Sequence, residues 1–395
     1  MPLNILTIPS THGLLTPPSG GQSRLFHLVK RLKNLGTNVV VLEDERYSNS
    51  QERELVTPYY FRDISALNRH LFMLRDINIT FLKSLATVLR NEKIDIIEFS
   101  YPAGMVTARC IIQLMGKRIP LVFSPENIES QFVEVILVDP KYTPLEKKLF
   151  RAYIRFTEWL ACVFLANHVI TVSERDRAIL INNYHLPLSK TSVIPSGSDL
   201  ADFDAHLTSN MQGKRELGIN PDKIAIFFHG SYPHAPNKEA FDIINNDIAP
   251  HFKDDSRVLF VLAGTGVPTY SHSNIRSIGF IQDLSNALAN VEIAIVPVLI
   301  GGGTRLKVLD YMAAGLPIVT TEKGAEGIEI VNGEHGIVVD SVGAEFIEAI
   351  KLLIDNREER RRLGANAHSL IEKQYGWDEI GDSLYAVYEH LLLNS

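Results

Sequence analysis

A glycine-rich segment with two nearby cations and one carboxylate extends from Val296 to Gly315 and reads VPVLIGGGTRLKVLDYMAAG. Its central residues are Gly301, Gly302, Gly303 and Thr304. They follow an apolar run at 291–298, which is typical of a buried parallel strand, and they precede a helical pattern that Thr304 is expected to cap. A strand, a glycine loop and a helix N-terminus in this order present backbone N–H groups and a positive dipole end to an anion. The segment therefore predicts a phosphate site.

Three charged side chains refine this prediction. Arg305 lies in the first turn of the helix, while Lys307 and Asp310 are three residues apart and share one helix face. Two cations could neutralise a diphosphate, and the carboxylate could accept hydrogen bonds from ribose hydroxyls. The alternative is an ordinary helix start whose charged residues face water, and a glycine-rich loop alone does not exclude it. The segment does not match GxxxxGK[ST] or GxGxxG, so a P-loop is excluded.

The length and charge of the chain limit what could present a ligand to this segment. A chain of 395 residues is too long for one typical core and predicts two domains, and 45% hydrophobic residues allow both to bury a core. The net charge of -7 arises from 39 Lys and Arg against 46 Asp and Glu. Without an overall positive charge, the chain is not expected to bind nucleic acid.

Cellular location is inferred from cysteines and apolar runs. Cys110 and Cys162 both lie among apolar residues, which predicts buried, reduced thiols and suits a cytoplasmic protein. The start, MPLNILTIPS, lacks the basic and long apolar regions of a signal peptide. The longest apolar run, at 159–166, is too short to span a bilayer.

The first half of the chain alternates strands and helices. A strand at 4–8, a loop ending in Gly20 and Gly21, a helix and a strand at 39–42 form a βαβ unit. The glycine pair precedes the helix and could approach a phosphate or sugar, or could only form a tight turn. A strand at 121–123 is followed by Glu126 and Asn127, which suits ligand contact at a strand end, although loop polarity alone would also explain them.

A helix predicted at 145–166 carries both cations and apolar residues. The cations are Lys147, Lys148, Arg151 and Arg155. Such a helix could contact an anionic membrane surface, but a charge run is more often only a solvated face.

The second half resumes the α/β alternation after an irregular linker at 195–222, with strands at 224–228, 258–263, 275–278 and 318–321. The strands end in small or polar residues that would line one crevice, among them Gly230, Gly264, Gly266, Phe280, Ile281 and Glu326. The only Asp-x-Asp, at 202–204, lies in the linker, so no metal site is expected there.

Six segments together resemble the retaining GT-B glycosyltransferases of the family 4 type: SGGQ, SPENIE, ITVSE, VIPSGSD, FFHGSYPHAPN and GGGTRLKVLDYMAAGLPIVTT. The resemblance covers nearly the whole chain. It implies an α/β fold of two Rossmann-like domains whose parallel sheets face each other across a cleft. Residues 1–205, with a last helix at 377–395 packing back on them, would hold the acceptor, and residues 206–376 the nucleotide sugar.

The resemblance also implies roles for individual residues. Arg305 and Lys307 would bind the donor diphosphate and Asp310 the ribose hydroxyls. Gly264 and Gly266 would border the nucleotide, Phe280 and Ile281 would meet the base, and Gly20 and Gly21 would close over the donor. The implied reaction is metal-independent transfer of a hexosyl group, with retention, from a UDP- or GDP-linked sugar to a glycan, lipid-linked or small-molecule acceptor. The cysteines and the cationic helix at 145–166 predict a cytoplasmic location with peripheral contact to the inner face of the membrane, and the resemblance implies no cofactor.

Three positions depart from the family pattern. Gly302 stands where relatives often have the first glutamate of a pair whose second position is Asp310, Glu126 stands where many have histidine, and Ser196 replaces a common asparagine. These departures leave two alternatives open: a nucleotide-sugar-binding protein without turnover, and a sugar-nucleotide epimerase. A phosphorylase is disfavoured, because no lysine motif suited to a pyridoxal cofactor is evident.

Overall fold

The computed structural model describes residues 2–9, 20–47, 55–62, 78–137, 142–204 and 211–394. The chain divides into two compact units, Met1–Ser196 together with Trp377–Ser395, and Gly197–Gly376. The first unit ends at Ser196, earlier than the expected boundary at 205/206. The chain returns to it at Trp377, where the last helix was expected to begin.

The first unit is built on seven parallel strands in the order β3-β2-β1-β4-β5-β6-β7. The strands are β1 (Asn4–Ile8), β2 (Asn38–Asp44), β3 (Thr57–Phe61), β4 (Ile96–Phe99), β5 (Leu121–Phe123), β6 (His168–Thr171) and β7 (Thr191–Val193). The helices are α1 (Gly20–Asn34), α2 (Ile79–Asn91), α3 (Met105–Leu114), α4 (Glu129–Ile136), α5 (Pro144–Leu160) and α6 (Glu174–Tyr184). Ile5 and Leu6, successive residues of β1, pack into different apolar clusters, so both faces of the sheet are covered, as parallel sheets require.

The second unit repeats this architecture with the strand order β10-β11-β9-β8-β12-β13-β14, in which only β10 is antiparallel. Its helices are α7 (Leu200–Asp204), α8 (Met211–Glu216), α9 (Ala235–Ile243), α10 (Leu284–Ala289), α11 (Leu306–Ala313), α12 (Ala344–Asp355) and α13 (Arg357–Gln374). Its strands are β8 (Ile224–His229), β9 (Val258–Ala263), β10 (Tyr270–His272), β11 (Ile275–Gly279), β12 (Ile293–Val296), β13 (Ile318–Thr321) and β14 (Ile337–Val339). The order changes direction between β8 and β12, and ligands of such sheets bind at the strand ends beside that point.

The last helix, α14 (Trp377–Leu393), belongs to the first unit. The guanidinium of Arg31 on α1 forms ion pairs with Asp378 at 3.0 Å and Asp382 at 2.8 Å. The imidazole of His27 stacks on the Trp377 indole with ring centroids 4.9 Å apart. These contacts hold α14 against α1.

The expectation of two Rossmann-like domains with parallel sheets is confirmed, and the predicted strands at 4–8, 258–263 and 318–321 coincide with β1, β9 and β13. Strands β3, β10 and β14 and helices α3 and α4 lie outside the predicted elements. The linker at 195–222 contains α7 and α8. Of the helical pattern predicted at 62–92, residues 63–77 lie outside the described residues.

Two local predictions are corrected. Cys162 is buried but Cys110 is exposed, because the buried positions of α3, such as Ala108 and Ile111, occupy the other side of the helix. Gly20 and Gly21 form the first turn of α1 and do not precede it.

Candidate functional site

The glycine segment and its charged residues lie at the strand ends of the second unit, beside the change of strand order. Strand β8 ends at His229, β9 ends at Ala263, and the loop after β12 carries the glycines and leads into α11. Lys307 on α11 therefore comes to lie beside the end of β8.

Gly230 and Gly264 allow these strand ends to approach each other closely. A Cβ atom on Gly264 would lie 1.9 Å from the carbonyl oxygen of Gly230, and Gly264 has a φ of +139°. A Cβ atom on Gly230 would lie 2.8 Å from the Nζ atom of Lys307. Both predicted glycines are thus required by the packing around the lysine.

The start of α11 differs from the prediction. Arg305 is the N-cap residue, with an extended backbone at φ -84° and ψ 95°, and no side chain caps the helix, so Thr304 is not the N-cap. The Oγ1 atom of Thr304 is buried and has no hydrogen-bond partner among the described residues. An uncapped helix start leaves N–H groups for a ligand.

Arg305 holds the glycine loop in shape. Its Nη1 atom donates to the carbonyl oxygens of Gly302 at 2.5 Å and Gly303 at 2.8 Å. Burial lowers the pKa of its guanidinium to about 10, so the group stays charged at neutral pH. Since a guanidinium has five N–H donors, others remain for an anion.

Lys307 is held between an amide and an aromatic ring. Its Nζ atom donates to Asn237 Oδ1 at 2.7 Å and lies 4.3 Å from the centre of the Phe228 ring. Burial, with a smaller contribution from the charge of Arg305, lowers the pKa of this lysine to about 7. A bound anion would restore its charge.

His229 is a site residue that the sequence reading missed. The Tyr311 hydroxyl accepts a hydrogen bond from the backbone N–H of His229 at 3.0 Å and lies 2.9 Å from the Nδ1 atom of the same residue. Because this hydroxyl already accepts from the backbone, its own hydrogen can point to Nδ1, which leaves the ring proton on Nε2. Burial, and then Lys307, lower the pKa of His229 to about 3, so the ring is neutral. The sequence offered one indication of this role, because His229 is a polar residue at the end of a predicted strand and is followed by a glycine.

Asp310 has a partner from the linker. The Ser198 hydroxyl donates to Asp310 Oδ1 at 2.9 Å, and Ser198 is itself buried. Burial raises the pKa of the Asp310 carboxyl to about 7, and the hydrogen bond from Ser198 opposes part of this shift. The carboxylate is therefore poised to accept further hydrogen bonds.

The local electrostatics favour an anion. Burial is the largest cause of the lowered pKa values of Lys307, His229 and His234, and neighbouring cationic side chains lower each of them further. No carboxylate is a cause of these three shifts. The arrangement can therefore bind a polyanion near Lys307, with a hydroxyl-bearing group beside Asp310 one turn further along α11.

The remaining predicted residues of this unit lie at neighbouring strand ends. The Gly264 N–H donates to the carbonyl of Gly279 at 2.7 Å, which brings Phe280 next to the glycine turn, and the Phe280 side chain is 69% exposed. Ile281 is partly exposed, and Gly266 lies against Pro233. Glu326 is buried and forms an ion pair with Lys323 at 2.5 Å, so its carboxylate is already engaged.

In the first unit, Glu126 and Asn127 follow β5 and both are partly exposed. Burial raises the pKa of Glu126, and the charge of Arg24 opposes this shift. Arg24 is buried, donates to the carbonyl of Ile194 at 2.7 Å and also bonds that of Pro195. Arg24 was not predicted, because the carbonyls it bonds are 170 and 171 residues away in the sequence.

Within the described ranges, no group of three or more His, Cys, Asp or Glu residues could hold a metal ion. Residues 202–204 lie in α7, and the two aspartate side chains are outside the described residues. None of the described helices is both long and apolar enough to cross a bilayer.

Comparison with known proteins shows two family matches. Residues 18–202 match the model described as Glycosyltransferase Family 4, and residues 223–356 match Glycosyl transferases group 1. Spore coat protein SA of Bacillus subtilis (strain 168) is 24% identical over 249 residues, or 58% of this chain and 66% of that protein. The UDP-Gal:alpha-D-GlcNAc-diphosphoundecaprenol alpha-1,3-galactosyltransferase of Escherichia coli is 23% identical over 317 residues, or 74% of each. The match thus spans slightly less than two thirds of the spore coat protein.

Solved structures share the fold. A sucrose-phosphate synthase from Thermosynechococcus elongatus superposes with a TM-score of 0.77 over 100% of both chains at 14% identity. The Anabaena protein Alr3699/HepE, solved in complex with UDP, gives a TM-score of 0.72 at 13% identity over 98% of this chain and 100% of that one. At these identities the likeness concerns the fold.

Proposed function

The chain belongs to the family 4 type of GT-B glycosyltransferases, and we propose that it moves a hexosyl group from a nucleotide diphosphate sugar to a glycan, lipid-linked or small-molecule acceptor with retention. The observation that carries the proposal is the set of buried basic groups around Lys307, one helical turn from the buried carboxyl of Asp310. A nucleotide diphosphate offers negative charges for the basic groups and a ribose diol for the carboxylate.

The diphosphate binds between Lys307 and the glycine loop. A negative phosphate would bring the pKa of Lys307 back towards its ordinary range, so binding offsets the cost of burying this lysine. Backbone N–H groups at Gly302 and Gly303, with the Thr304 hydroxyl, supply further donors where relatives often have a carboxylate. Arg305 keeps the loop in this shape and adds its remaining N–H groups.

The nucleoside lies over the neighbouring strand ends. The Asp310 carboxylate accepts from the ribose hydroxyls, the Phe280 ring packs against the base beside Ile281, and Gly264 and Gly266 leave room for it. The complexes of the Anabaena protein with UDP and with UDP-glucose support uracil as the base. The neutral His229 ring donates from Nε2 to the donor's phosphate or sugar.

Transfer breaks the bond between C1 of the sugar and the diphosphate oxygen while the acceptor hydroxyl oxygen attacks C1 from the same face. The hydroxyl proton passes to the departing phosphate oxygen. Negative charge grows on the diphosphate during this step, so Lys307 and Arg305 stabilise the transition state more than the bound substrate. This course gives retention without a covalent intermediate.

The first unit is proposed to bind the acceptor, with Glu126 and Asn127 as hydrogen-bonding partners of its hydroxyls and the glycines of α1, Gly20 and Gly21, facing the donor. The Escherichia coli relative is named for a sugar linked to diphosphoundecaprenol, and this supports a lipid-linked acceptor. The location proposed for the protein is the cytoplasm, at the inner face of the membrane.

Donor turnover tests this proposal against its alternatives. The pure protein is incubated with UDP-glucose and with GDP-mannose, without acceptor, and the products are separated. Slow release of UDP or GDP is expected. Binding without turnover would identify a nucleotide-sugar-binding protein, and an isomerised donor would identify an epimerase.

Variants connect the turnover to the site. Lys307→Met should slow donor hydrolysis by about ten- to a hundredfold, because a charge-assisted hydrogen bond contributes roughly 1.5–3 kcal/mol. The matched control is Lys351→Met, at an exposed lysine on α12 that pairs with Glu348. Equal rates for Lys307→Met and the control would exclude Lys307 from the reaction.

A further inference from the structure

Ser198 is a buried residue at the start of the second unit, two residues after the first unit ends at Ser196. Its backbone N–H donates to the carbonyl of Tyr375 at 2.9 Å, and it forms a parallel bridge with Gly376. Tyr375 is also buried, and its hydroxyl accepts from the backbone N–H of Glu329 at 3.0 Å. The backbone of Ser198 is therefore held by contacts that do not involve its side chain.

The hydroxyl of Ser198 engages one oxygen of the Asp310 carboxylate. It donates to Oδ1 at 2.9 Å. Within the described residues, the other oxygen, Oδ2, accepts no hydrogen bond. The last torsion of an aspartate side chain is broad, so a donor that comes from a fixed backbone outside the helix limits how the carboxylate turns. One oxygen is thus used internally, and the other remains for a ligand.

The same hydroxyl favours the ionised form of this carboxylate. Burial raises the pKa of Asp310 to about 7, and the hydrogen bond from Ser198 opposes that shift. No cation lowers this pKa in the part of the chain that the structure describes, although Lys307 is on the same helix. An ionised carboxylate only accepts hydrogen bonds, whereas a carboxylic acid carries a proton on one oxygen. Loss of the serine hydroxyl would therefore leave Asp310 a poorer acceptor.

We propose that Ser198 is the positioning residue of the ribose site and makes this site selective for ribonucleotides. Its hydroxyl holds Oδ1 of Asp310, so that Oδ2 accepts from the ribose hydroxyls of the donor. A deoxyribose offers one hydroxyl fewer and leaves a buried carboxylate short of a partner, which is how buried polar groups reject a ligand. Ser198 touches no reacting atom and acts only through Asp310. The inference rests on the proposed function, because it assumes a nucleotide donor at α11.

The preference for ribose is measured with UDP-glucose and 2′-deoxy-UDP-glucose by isothermal titration of the full chain. GDP-mannose and its 2′-deoxy form take their place if the guanine nucleotide is the one that binds. The readout is the ratio of the two affinities. Wild type should bind the ribose donor about tenfold or more tightly, because a hydrogen bond to a charged group is lost with the deoxy donor. Ser198→Ala should lower this ratio about two- to tenfold.

Matched variants separate positioning from stability. Ser198→Thr keeps a hydroxyl and should restore the wild-type ratio. Ser277→Ala is the control, because it also removes a buried hydroxyl of the second unit, one that donates to the carbonyl of Pro268, and it should leave the ratio unchanged. In an Asp310→Ala background, Ser198→Ala should not change the ratio, since no carboxylate is left to position. Thermal midpoints without ligand show that each variant is folded.

An unchanged ratio in folded Ser198→Ala would overturn the proposal, since a hydrogen bond that only stabilises the fold would weaken the binding of both donors together. An equal fall of the ratio in the Asp310→Ala background would overturn it as well, and so would equal affinity of the wild type for the two donors. Failure of the wild type to bind either UDP-glucose or GDP-mannose would contradict the proposed function and this inference with it. An unchanged ratio beside normal donor hydrolysis would contradict this inference alone.

Discussion

The affinity for UDP-glucose should depend on pH through two groups, one whose titration lowers the affinity as pH rises and one whose titration raises it. Lys307 and Asp310 both have a pKa of about 7 in the free protein, one lowered and the other raised by burial. The proposed binding mode requires the protonated lysine and favours the ionised carboxylate, so wild-type affinity should peak near pH 7. The diphosphate of UDP-glucose carries no proton that titrates near neutral pH, so changes in this range belong to the protein.

Single variants separate the two slopes. In Asp310→Asn only Lys307 titrates, and because a bound phosphate raises its pKa, affinity should be highest below pH 7 and fall as pH rises. With a free-state pKa of about 7, the affinity at about pH 8 should be roughly tenfold below that at about pH 6. In Lys307→Met the carboxylate alone remains, and affinity should rise by up to about tenfold over the same interval.

Isothermal titration with UDP-glucose at several pH values measures these profiles, and proton uptake by Asp310→Asn, seen with buffers of different ionisation heat, gives an independent reading. Lys351→Met is the control and should keep the wild-type peak. A flat profile for Asp310→Asn between about pH 6 and 8 would refute the reasoning, because the lysine that titrates would then not contact the diphosphate.

Three further outcomes concern stability. Lys307→Met should raise the unfolding free energy of the free protein below pH 7 by up to about 5 kcal/mol, less its lost hydrogen bond. The reason is that the lysine, whose pKa falls from 10.5 to about 7 on folding, costs stability in full below pH 7, and this cost declines only as pH rises from 7 towards 10.5. UDP-glucose should no longer shift the thermal midpoint of this variant as it does for wild type. Gly264→Ala should destabilise by at least about 2 kcal/mol in urea unfolding, since its Cβ would strike a backbone carbonyl, whereas Gly343→Ala, at an open position with extended backbone, should not. Tyr311→Phe leaves the N–H of His229 unpaired and should cost about 1–3 kcal/mol in the same assay; no change would contradict the assigned hydrogen bond.

The local features of the site were readable in the chain itself. An apolar run, three glycines and a helical period are contiguous, and glycine has few alternatives where φ is positive, as at Gly301 and Gly303. The alternation of strands and helices likewise predicts two parallel sheets, since each strand and each helix is recognised from periodicity within a short window. The same reasoning misplaced the N-cap at Thr304, because the choice between adjacent residues depends on loop dihedral angles.

Contacts between distant segments could not be read in this way. Lys307 meets an amide 70 residues away, and Asp310 meets Ser198 at a separation of 112 residues. Such pairs arise because parallel strands bring their carboxyl ends to one edge of the sheet.

Burial has the same origin. Burial of the side chains shifts the pKa values of Lys307 and Asp310 towards 7. The packing of distant segments also leaves several apolar side chains of α5 exposed. The sequence shows that α5 carries cations and apolar residues, but which of them contact water follows from the packing of α4 and α5 against each other through buried Glu158 and the Arg151 pair.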